Sequence, residues 1–317
     1  MRPAFSVIFL TTLIGAAQGL FIVLCAADLA ARLTGAVIRP PDALHSAGGA
    51  LAFVLLAAGL AASFFHLGHP ERAWRTASQW RTSWLSREVI VLPAFMLLVA
   101  LHAVAYHPAG IELRPAAGWI AVLGVGASLA LFVCTGMIYA CLRFLQEWAS
   151  PLTVLNFVLL GLASGATLAA ALAAFEAPAL AGPFALWSIV LTLVALGTRT
   201  LALARNARLR PISTLATAIG VKHPRIVQKA AGFLGGSFNT REFFHGRTRG
   251  ALRAVRAFFL LAGFAVPVLL VAAGMAGGAP AWLVAAVLVQ FAGLVAERWY
   301  FFADANHPQN LYYSAIA

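Results

Sequence analysis

Six titratable side chains lie inside or at the ends of long apolar segments, where an ionisable group is costly and often functional. They are Asp28, His45, His66, Glu88, His102 and Glu297. Two of them, His66 and Glu88, flank the polar stretch "HLGHPERAWRTASQWRTSWLSRE". A histidine titrates near neutrality, and burial moves a carboxyl toward it, so both can exchange protons. Their types and places suit proton-coupled chemistry at the edge of a membrane.

A quinone is a substrate that this pair could serve. Its ring needs hydrogen-bond partners at both oxygens while its isoprenoid tail stays in lipid, and its reduction takes up two protons. His66 ends one apolar segment and Glu88 begins the next, so neighbouring helices could turn both side chains toward one cavity. Arg72, Ser86 and the nearby tryptophans could form its rim. Alternatively, Glu88 pairs with an arginine or histidine and only anchors the connection.

Haem binding and transport are two alternative functions for a membrane protein with these residues. A bis-histidine haem needs imidazoles at similar depth on facing helices, and His45 and His102 could satisfy this. Transporters often show internal repeats and broken helices near the midplane, whereas this chain has no clear repeat and its charges gather toward one face. Cys25, Cys134 and Cys141 form no CxxC pair, so no cysteine-ligated metal site or disulfide framework is predicted.

Membrane-spanning helices are the elements that must position these side chains. Of the 317 residues, 62% are hydrophobic and 10% are charged, whereas about a quarter of a soluble domain is charged. About 20 apolar residues cross a bilayer as a helix. Eight such runs occur, near residues 5–31, 44–65, 88–106, 116–141, 152–174, 183–204, 255–276 and 281–303. The sequence therefore predicts an all-α bundle of eight transmembrane helices, with residues 1–317 forming a single membrane-anchor domain.

The basic residues predict the orientation of this bundle. Eight spans place both termini on one side, and of the 22 lysines and arginines all but Arg32, Arg39 and Arg114 fall on that side. Positive residues collect on the cytoplasmic face of a membrane protein, so we expect a multi-pass protein of the cytoplasmic membrane with both termini in the cytoplasm. The stretch from His66 to Glu88 would face the cytoplasm too.

A long basic cytoplasmic loop is predicted at residues 205–254, between the sixth and seventh helices. It contains "KHPRIVQKAAGFLGGSFNTREFFHGRTRGALR", which mixes basic, aromatic and apolar residues. This mixture favours a docking surface for a partner protein, with binding of lipid headgroups as the alternative. The net charge of +12 does not indicate nucleic acid, because basic residues of membrane proteins serve orientation and lipid contact.

The polar stretch resembles a motif of a known family. "HLGHPERAW" followed by "SWLSREV" resembles the membrane-anchor subunit of dimethyl-sulfoxide-reductase-type molybdoenzyme complexes, which carries "HLG-x-P-x-RA" and then "LS-x-E" on eight helices. The acidic–basic pair Glu297–Arg298 also fits. The resemblance implies a haem-free anchor that exchanges electrons between the quinone pool and a docked iron–sulfur subunit. That subunit would serve a catalytic subunit holding a molybdenum bis-pterin cofactor.

The resemblance also assigns roles to residues. His66 and Glu88 match the histidine and glutamate of the family's quinone site, and Arg72, Ser86 and Arg87 would belong to its rim. "MRPAFSVIFLTTLIGAAQGLF" and "ANHPQNLYY" are similar to the anchor of cytoplasmic sulfite-oxidising complexes. Together with the predicted orientation, this implies oxidation of sulfite to sulfate with reduction of quinone. The alternative is the anchor of a dimethyl sulfoxide, S-oxide or N-oxide reductase that oxidises menaquinol.

Overall fold

The computed structural model describes residues 1–35, 39–223, 225–227, 245–308 and 310. All regular secondary structure within these ranges is helical, and eight helical segments are long and apolar enough to cross a membrane. The predicted all-α bundle is therefore confirmed. Its first six spans are α1 (Phe5–Thr34), α2 (Asp42–Phe64), α3 (Trp84–Ala105), α4 (Ala117–Ala140), α5 (Pro151–Glu176) and α6 (Pro178–Asn206).

The seventh span is interrupted by a π-helical turn. A short helix α7 (Leu215–Ile219) follows α6, and the span itself consists of α8 (Arg249–Leu260), the π turn Leu261–Ala265 and α9 (Val266–Gly277). The eighth span is α10 (Pro280–Ala303). Two connections form 3₁₀ helices, Pro70–Gln79 between α2 and α3 and Pro108–Ala116 between α3 and α4.

Two spans begin earlier than the apolar runs suggest because their first turns are polar and capped. Helix α3 begins at Trp84, where the Ser83 hydroxyl accepts a hydrogen bond from the backbone nitrogen of Ser86 at 3.4 Å. The seventh span begins at Arg249, where the Thr248 hydroxyl accepts from the backbone nitrogen of Ala251 at 3.2 Å. Long basic side chains at a helix end can reach water, so hydropathy underestimates these helices.

Helices α1 and α5 form the centre of the bundle, packed against each other. Helices α2 and α4 pack on α1, α3 packs on α2 and α4, and α6 and α10 pack on α5. The α1–α5 contact depends on glycine, because a Cβ atom built on Gly165 would lie 2.1 Å from the backbone nitrogen of Leu20 and from the carbonyl carbon of Gly19. Close backbone approach at small residues replaces hydrophobic association between membrane helices.

One end of the bundle, here called the basic end, carries both chain ends and the connection from α2 to α3. The backbone nitrogen of Met1 donates to the Ala305 carbonyl there at 2.8 Å. Which side of the membrane this end faces stays a prediction. Of the predicted docking loop at 205–254, residues 224 and 228–244 lie outside the described part of the chain, as do 309 and 311–317 of the C-terminal segment.

Candidate functional site

Glu88 lies in the second turn of α3, near the basic end, and points into the bundle. Its side chain is only 8% exposed, and one carboxylate oxygen accepts a hydrogen bond from the Thr135 hydroxyl of α4. No cation of the described chain forms an ion pair with it. The alternative in which Glu88 anchors the connection by an ion pair is therefore not found among the described residues. A buried carboxyl without a counter-ion in a membrane span is a functional candidate.

A small cavity of about 250 Å³ lies beside Glu88 between α1, α3, α4 and α5. Its polar lining consists of Glu88, Thr135, Thr11 and Gln18, and the Gln18 amide donates to the Ser128 carbonyl at 2.8 Å. The rest of the lining is small or apolar and comprises Leu10, Ile14, Gly15, Phe132 and Phe157. Apolar walls with a few convergent polar groups are typical of small-molecule sites. The volume suits a ring rather than a whole isoprenoid lipid.

His66 lies beyond the end of α2, also at the basic end. Its side chain is exposed, forms no hydrogen bond or ion pair with a described residue, and does not line the cavity beside Glu88. Partial burial lowers the pKa of the His66 imidazole below its usual 6.5, so the ring is neutral at pH 7. The structure thus places His66 and Glu88 at the same end but does not join them by a hydrogen bond.

Ser86 and Arg87 hold the 3₁₀ connection on the start of α3. The Ser86 hydroxyl donates to the Thr76 carbonyl at 2.5 Å. The Arg87 guanidinium donates to the carbonyls of Trp80 at 2.9 Å and Arg81 at 2.8 Å. These contacts fix the path of the connection, so in this structure both predicted rim residues act on the loop and not on the cavity beside Glu88.

Arg72 and the aromatic residues of the same connection face outward. The Arg72 guanidinium lies 3.6 Å from the Glu71 carboxylate, and both side chains are exposed. Trp74 and Trp80 are 71% and 53% exposed, each with an arginine over its ring. Paired tryptophan and arginine are enriched at protein interfaces, and tryptophan also at membrane interfaces. The connection therefore presents a surface suited to contact.

His45 and His102 form a packed cluster at the opposite end of the bundle. Their ring centroids are 5.4 Å apart, His45 stacks on Tyr106 at 4.3 Å, and Phe21 packs on His102 at 5.1 Å. Directly touching imidazoles leave no space for a porphyrin between them, which argues against the haem alternative. A cavity of about 910 Å³ nearby is lined mainly by α2 and by the end of α3, with Tyr106 and Arg114 among its polar residues.

A second buried charged group at the basic end joins α6 to α10. The Arg199 Nε atom lies 2.6 Å from one Glu297 carboxylate oxygen, and the Arg298 Nε atom lies 3.6 Å from the other. All three side chains are at most 5% exposed. The Arg298 guanidinium also lies 3.7 Å from the centre of the Phe157 ring. Two cations around one anion leave an excess positive charge within the bundle.

Sequence reasoning missed three residues that the structure adds to these clusters. Thr135 and Gln18 face Glu88 from α4 and α1, and Arg199 completes the group around Glu297. The signal that could have found Thr135 and Gln18 is a hydrogen-bonding residue in an otherwise apolar span. Among the described residues, no three histidine, cysteine, aspartate or glutamate side chains are placed so that they could hold a metal ion.

Comparison with known proteins agrees with this architecture. The sequence profile of the family described as "DMSO reductase anchor subunit (DmsC)" matches residues 1–313. The chain is also 52% identical, over 326 aligned residues and the full length of both proteins, to the C-type subunit of the sulfite dehydrogenase of Allochromatium vinosum. Both matches cover the stretch between His66 and Glu88. The predicted family is confirmed, and the chain belongs to the DMSO reductase anchor subunit (DmsC) family.

Proposed function

We propose that this chain is the quinone-reactive membrane anchor of a sulfite-oxidising complex, in which electrons leave a docked iron–sulfur subunit and reduce quinone. The observation that carries the proposal is the Glu88 carboxyl, buried without a counter-ion beside a ring-sized cavity at the basic end. The name of the relative, which is a sulfite dehydrogenase subunit, supports the choice of complex. The partners would be an iron–sulfur subunit in direct contact and a catalytic subunit with a molybdenum bis-pterin cofactor.

The residues around the cavity fit the headgroup of a quinone. Glu88 and Thr135 would hydrogen-bond one ring oxygen, and Gln18 lies on the facing wall. Phe132 and Phe157 offer aromatic faces to the ring. Bound quinone would accept two electrons and two protons. Glu88 would hold one proton at its carboxyl oxygen and deliver it to the ring, which is general acid catalysis by a positioned group.

His66 has a different place in this proposal from Glu88. Its neutral imidazole is exposed at the basic end and forms no hydrogen bond with a described residue, so it would serve the entrance of the site or the water beside it. Arg72 is equally exposed. Ser86 and Arg87 would act as positioning residues, because they hold the connection that covers the start of α3.

The docking surface proposed for the iron–sulfur subunit is the 3₁₀ connection Pro70–Gln79 and the residues beside it. Trp74 and Trp80 provide exposed aromatic area, and Arg75 and Arg81 lie over their rings at 5.5 and 5.3 Å. A subunit bound here would lie at the same end as Glu88. The excess of basic residues at this end favours the cytoplasm, which is the orientation we propose for the anchor in the cytoplasmic membrane.

The test is sulfite-driven quinone reduction by the purified complex carrying Glu88→Gln. We expect a fall of about a hundredfold or more, the lower bound for a positioned proton-transfer group, with the rate to an artificial dye unchanged. Glu176→Gln is the matched control, since Glu176 is exposed at the opposite end of α5. Unchanged quinone reduction in Glu88→Gln would refute the site. Activity with sulfoxides and quinol but not with sulfite would favour the reductase alternative.

A further inference from the structure

We propose that the Tyr139 hydroxyl is a proton relay that connects water at the basic end with Glu88. This inference rests on the quinone function proposed above, because it assigns the source of the protons that Glu88 delivers. Three observations support it: an unpartnered tyrosine hydroxyl, its position between two charged groups, and unpaired polar atoms beside a cavity.

Tyr139 lies in the last turn of α4, within an aromatic cluster. Its ring stacks on Phe157 with centroids 5.6 Å apart and meets Trp148 edge-on at 5.2 Å. Its hydroxyl forms no hydrogen bond with another described residue. Tyrosine hydroxyls in such surroundings usually have a partner, and here the remaining candidate is water. A hydroxyl can donate and accept at the same time, so it can pass a proton on without ionising.

The position of Tyr139 links the two buried charged groups of the basic end. It lies within electrostatic range of both the Glu88 carboxylate and the Arg298 guanidinium. Phe157, on which it stacks, lines the cavity beside Glu88 on one side and contacts the Arg298 guanidinium on the other. Tyr139 is therefore the hydroxyl placed between the Glu88 cavity and the group formed by Arg199, Glu297 and Arg298.

A polar cavity of about 420 Å³ lies beside that charged group and supplies the other end of the path. Two buried atoms lining it, Nη2 of Arg199 and one carboxylate oxygen of Glu297, have no hydrogen-bond partner among the described residues. Buried polar atoms of this kind are normally satisfied by ordered water. Half-buried Glu147 and Asp304 line the same cavity and lie at the basic end, where water enters.

The proton balance of this relay is simple. For each quinone, two electrons come from the docked iron–sulfur subunit and two protons come from water at the basic end. Glu88 gives its proton to a ring oxygen and regains one from the Tyr139 hydroxyl, which at the same time takes one from cavity water. Repeating the transfer once supplies the second proton, and the side chains end in their starting states.

The test compares Tyr139→Phe with Tyr106→Phe and Glu88→Gln in the assembled complex, using a water-soluble quinone. Tyr139→Phe keeps the ring and removes a hydroxyl without a protein partner, so little loss of stability is expected. Tyr106→Phe makes the same chemical change at the opposite end. We expect Tyr139→Phe to lower kcat about tenfold and to raise the solvent deuterium isotope effect, because a proton transfer becomes slower. KM for quinone and the dye-linked rate should stay unchanged.

Three outcomes separate the inferences. The relay is supported if Tyr139→Phe shows this pattern and Tyr106→Phe does not. If Glu88→Gln is impaired while Tyr139→Phe matches Tyr106→Phe in kcat and isotope effect, the relay is wrong and the quinone site stands. If Glu88→Gln reduces quinone at the wild-type rate, both the site and its relay are refuted.

Discussion

Replacing Gly165 by alanine should separate the two central helices and destabilise the protein. The added Cβ atom would lie 2.1 Å from the backbone of α1, whereas ordinary contact begins at 3.4 Å. Helices α1 and α5 must then move apart by roughly 1 Å, and overpacking of this kind costs ~1–3 kcal/mol. Helix α1 also carries Gln18 and the α1 wall of the Glu88 cavity, so quinone reduction should fall as well.

Gly126→Ala is the matched control, because a Cβ atom there meets nothing within 4 Å. Alanine in an open helical position is more stable than glycine by ~0.5–1 kcal/mol, so the two variants should differ by roughly 1.5–4 kcal/mol. At ~2 °C per kcal/mol this is a difference of about 3–8 °C in Tm, measured by thermal unfolding in detergent. Equal Tm values for Gly165→Ala and Gly126→Ala would refute the close packing of α1 and α5.

Three further predictions concern the charged groups and the orientation. Glu297→Gln leaves Arg199 and Arg298 without an anion, and breaking a buried ion pair costs ~3–5 kcal/mol, so its Tm should fall well below that of Glu176→Gln. The pKa of His66 lies below 6.5, so the imidazole gains its proton only as the pH falls through that lowered value; if the neutral ring serves the site, quinone reduction should decline between pH 7 and 5, and His66→Gln should remove this decline. Cys141 is exposed at the basic end whereas Cys25 and Cys134 are buried, so an impermeant thiol reagent should label inside-out vesicles and not right-side-out vesicles; the reverse pattern would contradict the proposed orientation.

The helices could be predicted from the sequence because membrane spans depend on local composition. Eight apolar runs predicted eight spans, and the structure has them. Their boundaries were less accurate where polar first turns are capped, as at Ser83 and Thr248, because hydropathy does not register a cap. The π turn at Leu261–Ala265 interrupts an unbroken apolar run and left no comparable signal in the sequence.

The candidate site could be predicted only in part. Glu88 was identified because a carboxyl in an apolar span is costly wherever the helix points. Its contacts depend on which faces of α1, α4 and α5 meet it, and a single sequence does not contain that information. His66 was placed beside Glu88 because consecutive helices are usually neighbours, yet the structure leaves it beyond the end of α2 with no hydrogen bond between the two. Whether either residue binds quinone stays a prediction.

The buried group around Glu297 shows the same limit. Glu297 and Arg298 are adjacent in sequence and were recognised as a pair, but Arg199 was counted only as a basic flank of the sixth span. Its partner lies on α10, nearly a hundred residues away, and the two meet because α5 carries both α6 and α10 on its surface. Long-range pairing of this kind follows from helix packing, which local pattern does not specify.

Photoaffinity labelling with an azido-quinone tests the central claim most directly. The purified complex would be labelled, digested and analysed by mass spectrometry, with Glu88→Gln as the comparison. We expect label on α1, α3 and α4 around Gln18, Glu88 and Thr135, and less label in Glu88→Gln. Label concentrated instead on the cavity at the opposite end, near Tyr106 and Arg114, and unchanged in Glu88→Gln, would contradict the proposed quinone site.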